Sequence, residues 1–281
     1  MTPTKACVIT LLLMGLWISS VPAQTLRENG APLLLVEVPL AHETDAARLS
    51  AAGLDVAGVN RRALTAQIVE RPEELSRLTG MGFAYTVKDT GRPLRESAEA
   101  LGEYTDPAEL EAFIDQAVAA HPDLVRKVVL KDALFEGQKL LAVKITADVA
   151  VQHDRPVFLL DAQHHAREVM TVEIAKDAVG YLASQYGTDP RVTAWLDAIE
   201  IWVVASVNPD GAMYVFTADN LWSKNRDPAC AVDLNRNYGW NWNSCGGSSD
   251  ACFNETYHGS GPESEPETQG MVALVDRIRP L

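Results

Sequence analysis

The sequence predicts an α/β fold in which a mixed, twisted sheet has helices on both faces, preceded by a small α+β domain. Two patterns lead to this fold class. Short, continuous apolar segments, such as residues 156–160 and 201–205, are typical of strands that are buried on both faces. Longer segments between them have apolar residues at helical spacing, as residues 169–181 do. Strands that alternate with helices in this way indicate α/β architecture.

Composition and charge limit the possible classes of function. The 281 residues are 47% hydrophobic and 22% charged, which is ordinary for a globular protein and suggests two domains. The net charge of −14 disfavours binding to nucleic acids or to anionic membranes. The sequence contains no basic cluster, internal repeat or low-complexity tract that would point elsewhere.

Residues 1–23 have the pattern of a signal peptide. One positive charge, Lys5, precedes an apolar run over residues 6–18, and small residues follow up to Ala23. A membrane anchor is the alternative, but the run is shorter than the roughly 20 apolar residues that a spanning helix needs. The sequence therefore predicts a secreted protein, extracellular or periplasmic, with no membrane segment after cleavage.

Residues 24–87 are predicted to form the small α+β domain. Strands are expected at residues 33–38 and 83–87, and helices at residues 45–52 and 72–78. Further short strands are expected between the two helices. Together these elements would form one small sheet with helices packed on it.

A polar linker, residues 88–103, is predicted to join this domain to a larger one, residues 104–281. The larger domain should begin with a helix that is capped by Asp106. Strands are expected next, at residues 125–130 and 140–146. Linkers of this composition are typical sites of proteolytic cleavage.

His165 and Glu168 are the first candidates for a metal site. They follow the strand predicted at residues 156–160, at the edge where open α/β sheets bind their ligands. On the predicted first turn of the next helix, this spacing puts both side chains on one face, where they can reach a single ion. Zinc accepts an imidazole together with a carboxylate. The spacing alone is weak evidence, because a surface His and Glu on one helical turn are common.

Three further motifs follow in the larger domain. In order, the chain reads His165-Ala-Arg-Glu168, Asn208-Pro-Asp-Gly211, Asp233-Leu-Asn-Arg-Asn237 and Thr256-Tyr-His-Gly259. With these motifs, the chain from about Tyr104 onward resembles the zinc carboxypeptidases, the family that contains carboxypeptidases A, B and T. Residues 245–249, which read Cys-Gly-Gly-Ser-Ser, are most similar to the bacterial carboxypeptidase T branch. The resemblance implies the carboxypeptidase fold, a bound Zn²⁺ and hydrolysis of the C-terminal residue of a peptide.

The resemblance also implies the roles of the metal-site residues. His165 and Glu168 would be zinc ligands, and His164 would be a neighbour that takes no part. Asp233 would accept a hydrogen bond from the ligand imidazole, which fixes the tautomer of the ring and raises its basicity.

The substrate-binding residues implied by the resemblance are Arg167, Asn235 and Arg236. Arg236 would bind the free C-terminal carboxylate of the peptide, because a planar guanidinium can donate two parallel hydrogen bonds to it. Asn235 would add an amide donor beside Arg236. Arg167 would contact the backbone of the substrate.

Ser223 is a departure from the family pattern. It stands where relatives have an arginine that stabilises the oxyanion, and loss of one such donor typically lowers the rate by about 100 to 1,000-fold. Lys224 or Arg226 could substitute for that arginine by moving into the site.

A second departure concerns the end of the sequence. Leu281 comes just after a helix that begins near Ser264 with a capping-box pattern. By resemblance, the third zinc ligand and the glutamate that acts as general base are expected beyond Leu281. No catalytic residue is therefore assigned within these residues, and the sequence is predicted to be an incomplete copy of a longer product.

Three functions remain open at this stage. The first is a secreted zinc metallocarboxypeptidase precursor, in which residues 24–87 act in cis as a propeptide that covers the site. An accessory domain is the alternative for that segment. The second function is a non-catalytic protein that binds peptide C-terminal carboxylates. The third is a related zinc amidohydrolase that acts on N-acyl amino acids.

The cysteines permit two disulfide pairings. Removal of the signal peptide takes away Cys7 and leaves Cys230, Cys245 and Cys252 in an oxidising compartment. The resemblance favours a bridge from Cys230 to Cys252, as in the animal members, but a bridge from Cys245 to Cys252 is also open.

Overall fold

The computed structural model describes residues 31–96, 104–244 and 246–281, which form two four-stranded sheets and seven α-helices. The predicted signal peptide lies outside these residues. The strands are β1 (Leu34–Pro39), β2 (Asp55–Asn60), β3 (Thr65–Glu70), β4 (Thr86–Thr90), β5 (Val125–Lys131), β6 (Leu140–Ile145), β7 (Val157–Asp161) and β8 (Glu200–Val204). The helices are α1 (Thr44–Ala51), α2 (Ser76–Gly80), α3 (Pro107–Ala120), α4 (Val169–Gln185), α5 (Pro190–Ala198), α6 (Pro209–Thr217) and α7 (Pro266–Ile278).

The first sheet forms the N-terminal lobe, which we define as residues 31–90. Its strand order is β2-β3-β1-β4, and all three pairings are antiparallel. Val36 and Ile68 face each other in the register, and both pack against Leu49 of α1 and Leu78 of α2. The predicted small α+β unit is therefore present.

The last strand of this lobe differs from its predicted position. β4 begins at Thr86 and runs to Thr90, whereas the sequence suggested residues 83–87. Phe83 is instead buried in the core of the lobe, directly after a turn at Gly82 with a φ of 87°. The strand therefore extends into the predicted linker, whose residues 97–103 lie outside the described part of the chain.

The second sheet belongs to the C-terminal lobe, which we define as residues 104–281. Its order is β5-β6-β8-β7, with β7 parallel to β8 and the other pairings antiparallel. Every residue of β8 is buried. Ile201 and Val203 pack with α3, α4 and α5, whereas Trp202 and Val204 pack on the other face with α7. The predicted mixed sheet with helices on both faces is confirmed.

β7 is less buried than its sequence suggested. The side chain of Phe158 is 53% exposed, although its apolar neighbours predicted a strand buried on both faces. The reason is its position, because β7 pairs only with β8 and is the end strand of the described sheet. Continuous apolar sequence does not distinguish an inner strand from an outer one.

Two predicted helix caps have different outcomes. Asp106 caps α3 as expected, and a reciprocal bond between Glu109 and the Asp106 amide completes a capping box. The box predicted at Ser264 does not form. Glu265 is the N-cap residue of α7 and its side chain makes no capping bond, while the hydroxyl of Ser264 donates to the Glu265 carboxylate.

Asn208 joins three segments at the C-terminal ends of β7 and β8. Its side chain is fully buried, and its carbonyl oxygen accepts a hydrogen bond from the Gly211 amide at the start of α6. Its amide nitrogen lies within bonding distance of the carbonyl oxygens of His164, Ser223 and Lys224, at 3.2, 3.3 and 3.0 Å. One side chain thus fixes the loops on which the predicted site residues lie.

We expect the Asn208→Ala variant to lower the free energy of unfolding by about 3 kcal/mol, because several buried polar groups lose their partner at once. Urea unfolding followed by circular dichroism measures this change. Ser184→Ala is the control, since its hydroxyl is exposed and bonds only locally to Tyr181. Equal stability of the two variants would show that Asn208 does not hold the loops.

Candidate functional site

His165 and Glu168 lie in the loop that leads from β7 into α4. The prediction that they occupy the first turn of the helix is wrong, because α4 begins at Val169 and Glu168 is its N-cap residue. They still face each other, since the Glu168 amide donates to the His165 carbonyl oxygen and closes a turn. The His165 Nδ1 atom is 3.0 Å from Glu168 Oε1.

Asp233 lies on the other side of the His165 ring. Its Oδ1 atom is 3.2 Å from His165 Nε2, and it also accepts a hydrogen bond from the Asn235 amide. Burial acts to lower the pKa of the imidazole, but the hydrogen bonds with Asp233 and Glu168 outweigh it and raise the pKa to about 10. The bond with His165 in turn lowers the pKa of Glu168, against the effect of burial.

The donor atoms of His165 and Glu168 fit two ligand positions of a zinc site. Two ligand atoms on one tetrahedral zinc lie roughly 3.3 Å apart, because each is about 2.0–2.2 Å from the metal. The 3.0 Å between His165 Nδ1 and Glu168 Oε1 is close to that separation. Asp233 lies within hydrogen-bonding distance of the second ring nitrogen, as a carboxylate commonly does beside a metal-bound histidine. Within the described residues, however, no group of three or more His, Cys, Asp or Glu side chains could hold a metal ion.

His164 points away from this pair. Its Nε2 atom lies 2.7 Å from the Tyr238 hydroxyl, so the ring is engaged on another side of the loop. Its role as a neighbour that takes no part stays a prediction.

Arg236 and Asn235 follow Asp233 in a short 3₁₀ turn, Leu234–Arg236. The Arg236 guanidinium is partly exposed, and its Nε atom donates to the Gly247 carbonyl oxygen at 3.1 Å. It lies 3.8 Å from Asp233, so it is close to the His165 side of the loop. Asn235 is exposed beside it.

Arg167 is held by the N-terminal lobe. Its two terminal nitrogens donate to the two carboxylate oxygens of Asp55, at 2.6 and 2.8 Å, and one also approaches the Leu221 carbonyl oxygen at 3.3 Å. Both side chains are mostly buried. This is the bidentate geometry in which a guanidinium binds a carboxylate most strongly.

A cavity of about 370 Å³ lies between the two lobes at this point. The C-terminal lobe lines it with His165, Arg167, Glu168, Ser223, Asp233, Arg236, Gly247, Glu255 and Thr256, and the N-terminal lobe with Ser50, Leu54, Asp55, Val56 and Ala57. The structure therefore brings five of the six predicted site side chains into one cavity, namely His165, Arg167, Glu168, Asp233 and Arg236. Asn235 is outside that lining.

Ser223 lines the cavity. The two nearby cations, Lys224 and Arg226, bind other groups and do not take the place of the missing arginine. Lys224 is 1% exposed, and its ammonium donates to the carbonyl oxygens of Cys252 and Asn254. Arg226 donates to Glu136 and stacks 3.8 Å from the centre of the Tyr214 ring. The idea that one of them replaces the oxyanion arginine is not supported by these contacts.

Glu255 is a cavity residue that the sequence analysis missed. It precedes the Thr256-Tyr-His-Gly259 motif, but no local pattern indicates that its side chain is buried. In the structure it is 2% exposed, and Arg71 of the N-terminal lobe lies 3.6 Å from it. A signal of this kind is three-dimensional, because the two residues are far apart in the sequence.

One of the two permitted disulfides is present. Cys230 is bonded to Cys252, the pairing that the resemblance favoured, and Cys245 lies outside the described residues. The bridge ties the segment before Asp233 to the segment before Glu255. Both walls of the cavity on this side are thereby fixed to each other.

Comparison with known proteins identifies relatives over the C-terminal lobe. The family described as zinc carboxypeptidase matches residues 110–281, well over half of the chain. Mouse carboxypeptidase A2 is 34% identical over 179 residues, which cover 62% of this chain and 42% of that protein. The zinc carboxypeptidase of Saccharothrix mutabilis subsp. capreolus is 31% identical over 223 residues, covering 71% and 50%. The chain thus spans about half or less of the length of the curated relatives it matches.

Solved structures show the same fold. Carboxypeptidase A from Helicoverpa armigera has a TM-score of 0.71 at 21% identity and covers 89% of this chain and 68% of its own. Thrombin activatable fibrinolysis inhibitor has a TM-score of 0.66 at 22% identity, covering 88% and 69%. Because residues 104–281 make up less than two thirds of the chain, this likeness includes the N-terminal lobe. From the family match over residues 110–281, the chain belongs to the zinc carboxypeptidase family.

Proposed function

We propose that this protein is the secreted precursor of a zinc-dependent carboxypeptidase that removes the C-terminal residue of peptides. The observation that carries the proposal is the arrangement of His165, with Glu168 at one ring nitrogen and Asp233 at the other. Arg236 lies in the same cavity. Family membership supports both the metal and the reaction class.

In this proposal His165 and Glu168 hold the zinc, and Asp233 orients the imidazole. When bound, zinc lowers the pKa of a water molecule and polarises the scissile carbonyl. Asp233 accepts the Nε2 proton of His165, which leaves Nδ1, on the Glu168 side, free to act as the metal-binding atom.

The Arg236 guanidinium is proposed to bind the C-terminal carboxylate of the substrate, with Asn235 beside it. Its Nε atom is occupied by the Gly247 carbonyl oxygen. In the proposal its two terminal nitrogens bind the ligand, and one of them also lies 3.4 Å from the Asn235 carbonyl oxygen. Desolvation inside the cavity would strengthen such a charged pair.

The N-terminal lobe is proposed to act as an inhibitory propeptide in cis. It forms one wall of the cavity. Asp55 accepts hydrogen bonds from both terminal nitrogens of Arg167, the residue expected to contact the substrate backbone. A peptide cannot use Arg167 while this pair is intact. Residues 1–23 are proposed to direct secretion, and no described helix is long and apolar enough to span a bilayer.

A non-catalytic function is the second candidate. It is favoured by Ser223 at the oxyanion position together with the engagement of Lys224 and Arg226 elsewhere. Such a protein would bind peptide C-terminal carboxylates through Arg236 without cleaving them.

The first test is peptide shortening by the protein purified from its natural source and supplied with zinc. We expect mass spectrometry to show loss of a single residue from peptides with a free C-terminal carboxylate, because the Arg236 site requires that charge. Peptides with an amidated C-terminus are the control and should remain intact. Binding of the free-acid peptide without shortening would instead support the non-catalytic candidate.

Zinc affinity tests the metal site directly. We expect His165→Ala to weaken zinc binding by about 100-fold or more and Asp233→Asn by about 10 to 100-fold, since the second change removes the partner of the ligand ring. Competition with a chromophoric chelator measures both constants. His42→Ala, a change at an exposed histidine of the N-terminal lobe, is the control. Zinc binding that is the same in all three variants would place the metal elsewhere.

Asp55 tests the inhibitory contact. We expect Asp55→Asn to weaken the joint between the lobes by about 3 kcal/mol, because Arg167 keeps its charge but loses its carboxylate. Hydrogen exchange of the backbone amides of β2 and of residues 162–168 should become faster. Asp89→Asn removes a surface pair with Arg92 and is the matched control. Equal exchange in both variants would contradict a closing role for Asp55.

The folded protein should also lose stability as pH rises. Glu70, at the end of β3, is 1% exposed. Its burial, and to a smaller extent the negative charge of Glu255, raise its pKa to about 8. The hydrogen bond from the Asp55 amide and the charge of Arg77 act in the opposite direction. Since the folded pKa lies above the ordinary 4.5, the stabilisation is present at low pH and is lost as pH rises through about 8.

Glu70→Gln should therefore flatten the dependence of the melting temperature on pH between about 5.5 and 8.5. Scanning calorimetry across this range compares the variant with the unaltered protein. Glu267, whose pKa burial also raises to about 8, is present in both proteins, so the difference isolates Glu70. The same dependence of the melting temperature on pH in both proteins would show that Glu70 does not bind a proton on folding.

A further inference from the structure

We propose that Glu255 is the carboxylate of a substrate subsite that accepts a positively charged side chain, and that Arg71 occupies this subsite while the lobes are closed. Because the subsite lies in the cleft proposed to bind peptides, the inference rests on the proposed function. It adds a substrate class, namely peptides with a basic residue near the C-terminus.

The first observation is that Glu255 is buried without hydrogen bonds. Its side chain is 2% exposed, and neither carboxylate oxygen has a hydrogen-bond partner among the described residues. A buried acceptor left in this state costs free energy, and a charged one costs more. The closed arrangement therefore does not satisfy this carboxylate, which suggests that its best partner is a group that is absent.

The permanent cations around Glu255 are committed to other groups. Lys224 and Arg167 both act electrostatically on it. The Lys224 ammonium, however, donates to the carbonyl oxygens of Cys252 and Asn254, and the Arg167 guanidinium donates to Asp55. They lower the electrostatic cost of a negative charge at this place without closing the site.

Arg71 approaches Glu255 from the opposite lobe. It directly follows β3, and its Nε atom is 3.6 Å from Glu255 Oε1. This Nε atom is itself buried and makes no hydrogen bond with the described residues. A guanidinium that reaches across a joint to an unsatisfied carboxylate has the geometry of an internal ligand. If the N-terminal lobe leaves, the place it vacates fits the side chain of an arginine or a lysine.

The position of Glu255 in the cavity indicates which substrate residue it meets. Arg167 is among the charges that act on Glu255. Since Arg236 is proposed to bind the terminal carboxylate and Arg167 the substrate backbone, Glu255 lies on the side of the residues that precede the C-terminal one. A basic side chain upstream of the cleaved bond would therefore occupy the subsite.

The test uses the full chain and a small probe. Arg71→Ala opens a space beside Glu255, and ethylguanidinium is the cation that matches the removed group. By isothermal titration, we expect Arg71→Ala to bind ethylguanidinium about tenfold more tightly than Arg71→Ala/Glu255→Gln does. Ethylurea, a neutral molecule of the same shape, should bind neither variant measurably.

Arg48→Ala is the matched control, because it removes another arginine of the N-terminal lobe that pairs with Asp45 on the surface. It and the unaltered chain should show no binding that depends on Glu255. If Arg71→Ala does not fold, the same comparison is made with Arg71→Ser, which opens nearly the same space. Equal affinity of the single and double variants for ethylguanidinium, or binding of ethylurea as tight as that of the cation, would overturn the proposal.

A second measurement separates this inference from the proposed function. In protein that shortens peptides, Glu255→Gln should lower the kcat/KM ratio between a peptide with arginine before the C-terminal residue and its citrulline counterpart by about tenfold. Binding of ethylguanidinium through Glu255 without any peptide cleavage would contradict the proposed enzyme activity but support the cation site. Peptide cleavage with an unchanged kcat/KM ratio would support the enzyme activity but contradict the subsite.

Discussion

One buried side chain, Asn208, holds together the loops that follow β7 and β8 and the segment at Ser223 and Lys224. Strands β7 and β8 end side by side as a parallel pair, so the loops that follow them emerge at the same edge. That topology brings the loops near each other but does not fix their positions. The hydrogen bonds from Asn208 to the carbonyl oxygens of His164, Ser223 and Lys224 do so, and the bond to Gly211 anchors Asn208 itself to α6. The position of His165 thus follows from an amide that contributes nothing to the chemistry.

Charge is the second constraint on the site. A cavity that holds Arg167 and Asp233 leaves these groups unpaired only at a high cost in free energy, because an isolated buried charge is unfavourable. Asp233 is paired within the C-terminal lobe through His165, whereas Asp55, the carboxylate that pairs with Arg167, lies in the other lobe. Under the proposed function, Arg167 is also the donor that the C-terminal lobe would offer to its substrate. Closure and inhibition would then be the same interaction.

The sequence predicted the parts of this structure that depend on local or periodic patterns. The sheet, the helices on its two faces and the Asp106 cap follow from hydrophobic spacing and from residues close together in the chain. The helix start near Glu168 was placed too early, because an apolar period does not report where a preceding loop turns. Phe158 shows the same limit for burial, since pairing partners decide it. The ion pair of Asp55 with Arg167 and the approach of Arg71 to Glu255 join residues more than a hundred positions apart, and no pattern in one sequence encodes such contacts.

The two ion pairs across the joint differ in a way that bears on how the lobes separate. Asp55 and Arg167 form two hydrogen bonds in good geometry, whereas Arg71 and Glu255 are close without forming any. While the linker is intact, the N-terminal lobe is present at a high effective concentration, so even a moderate joint stays closed. Cleavage of the linker changes none of these contacts, but it converts closure into binding between two separate pieces. A single strong pair then has to hold the lobe, and the unsatisfied Glu255 favours any basic group that competes for its place. An imperfect contact at Arg71 would therefore suit the proposed propeptide, which first closes the cleft and later leaves it.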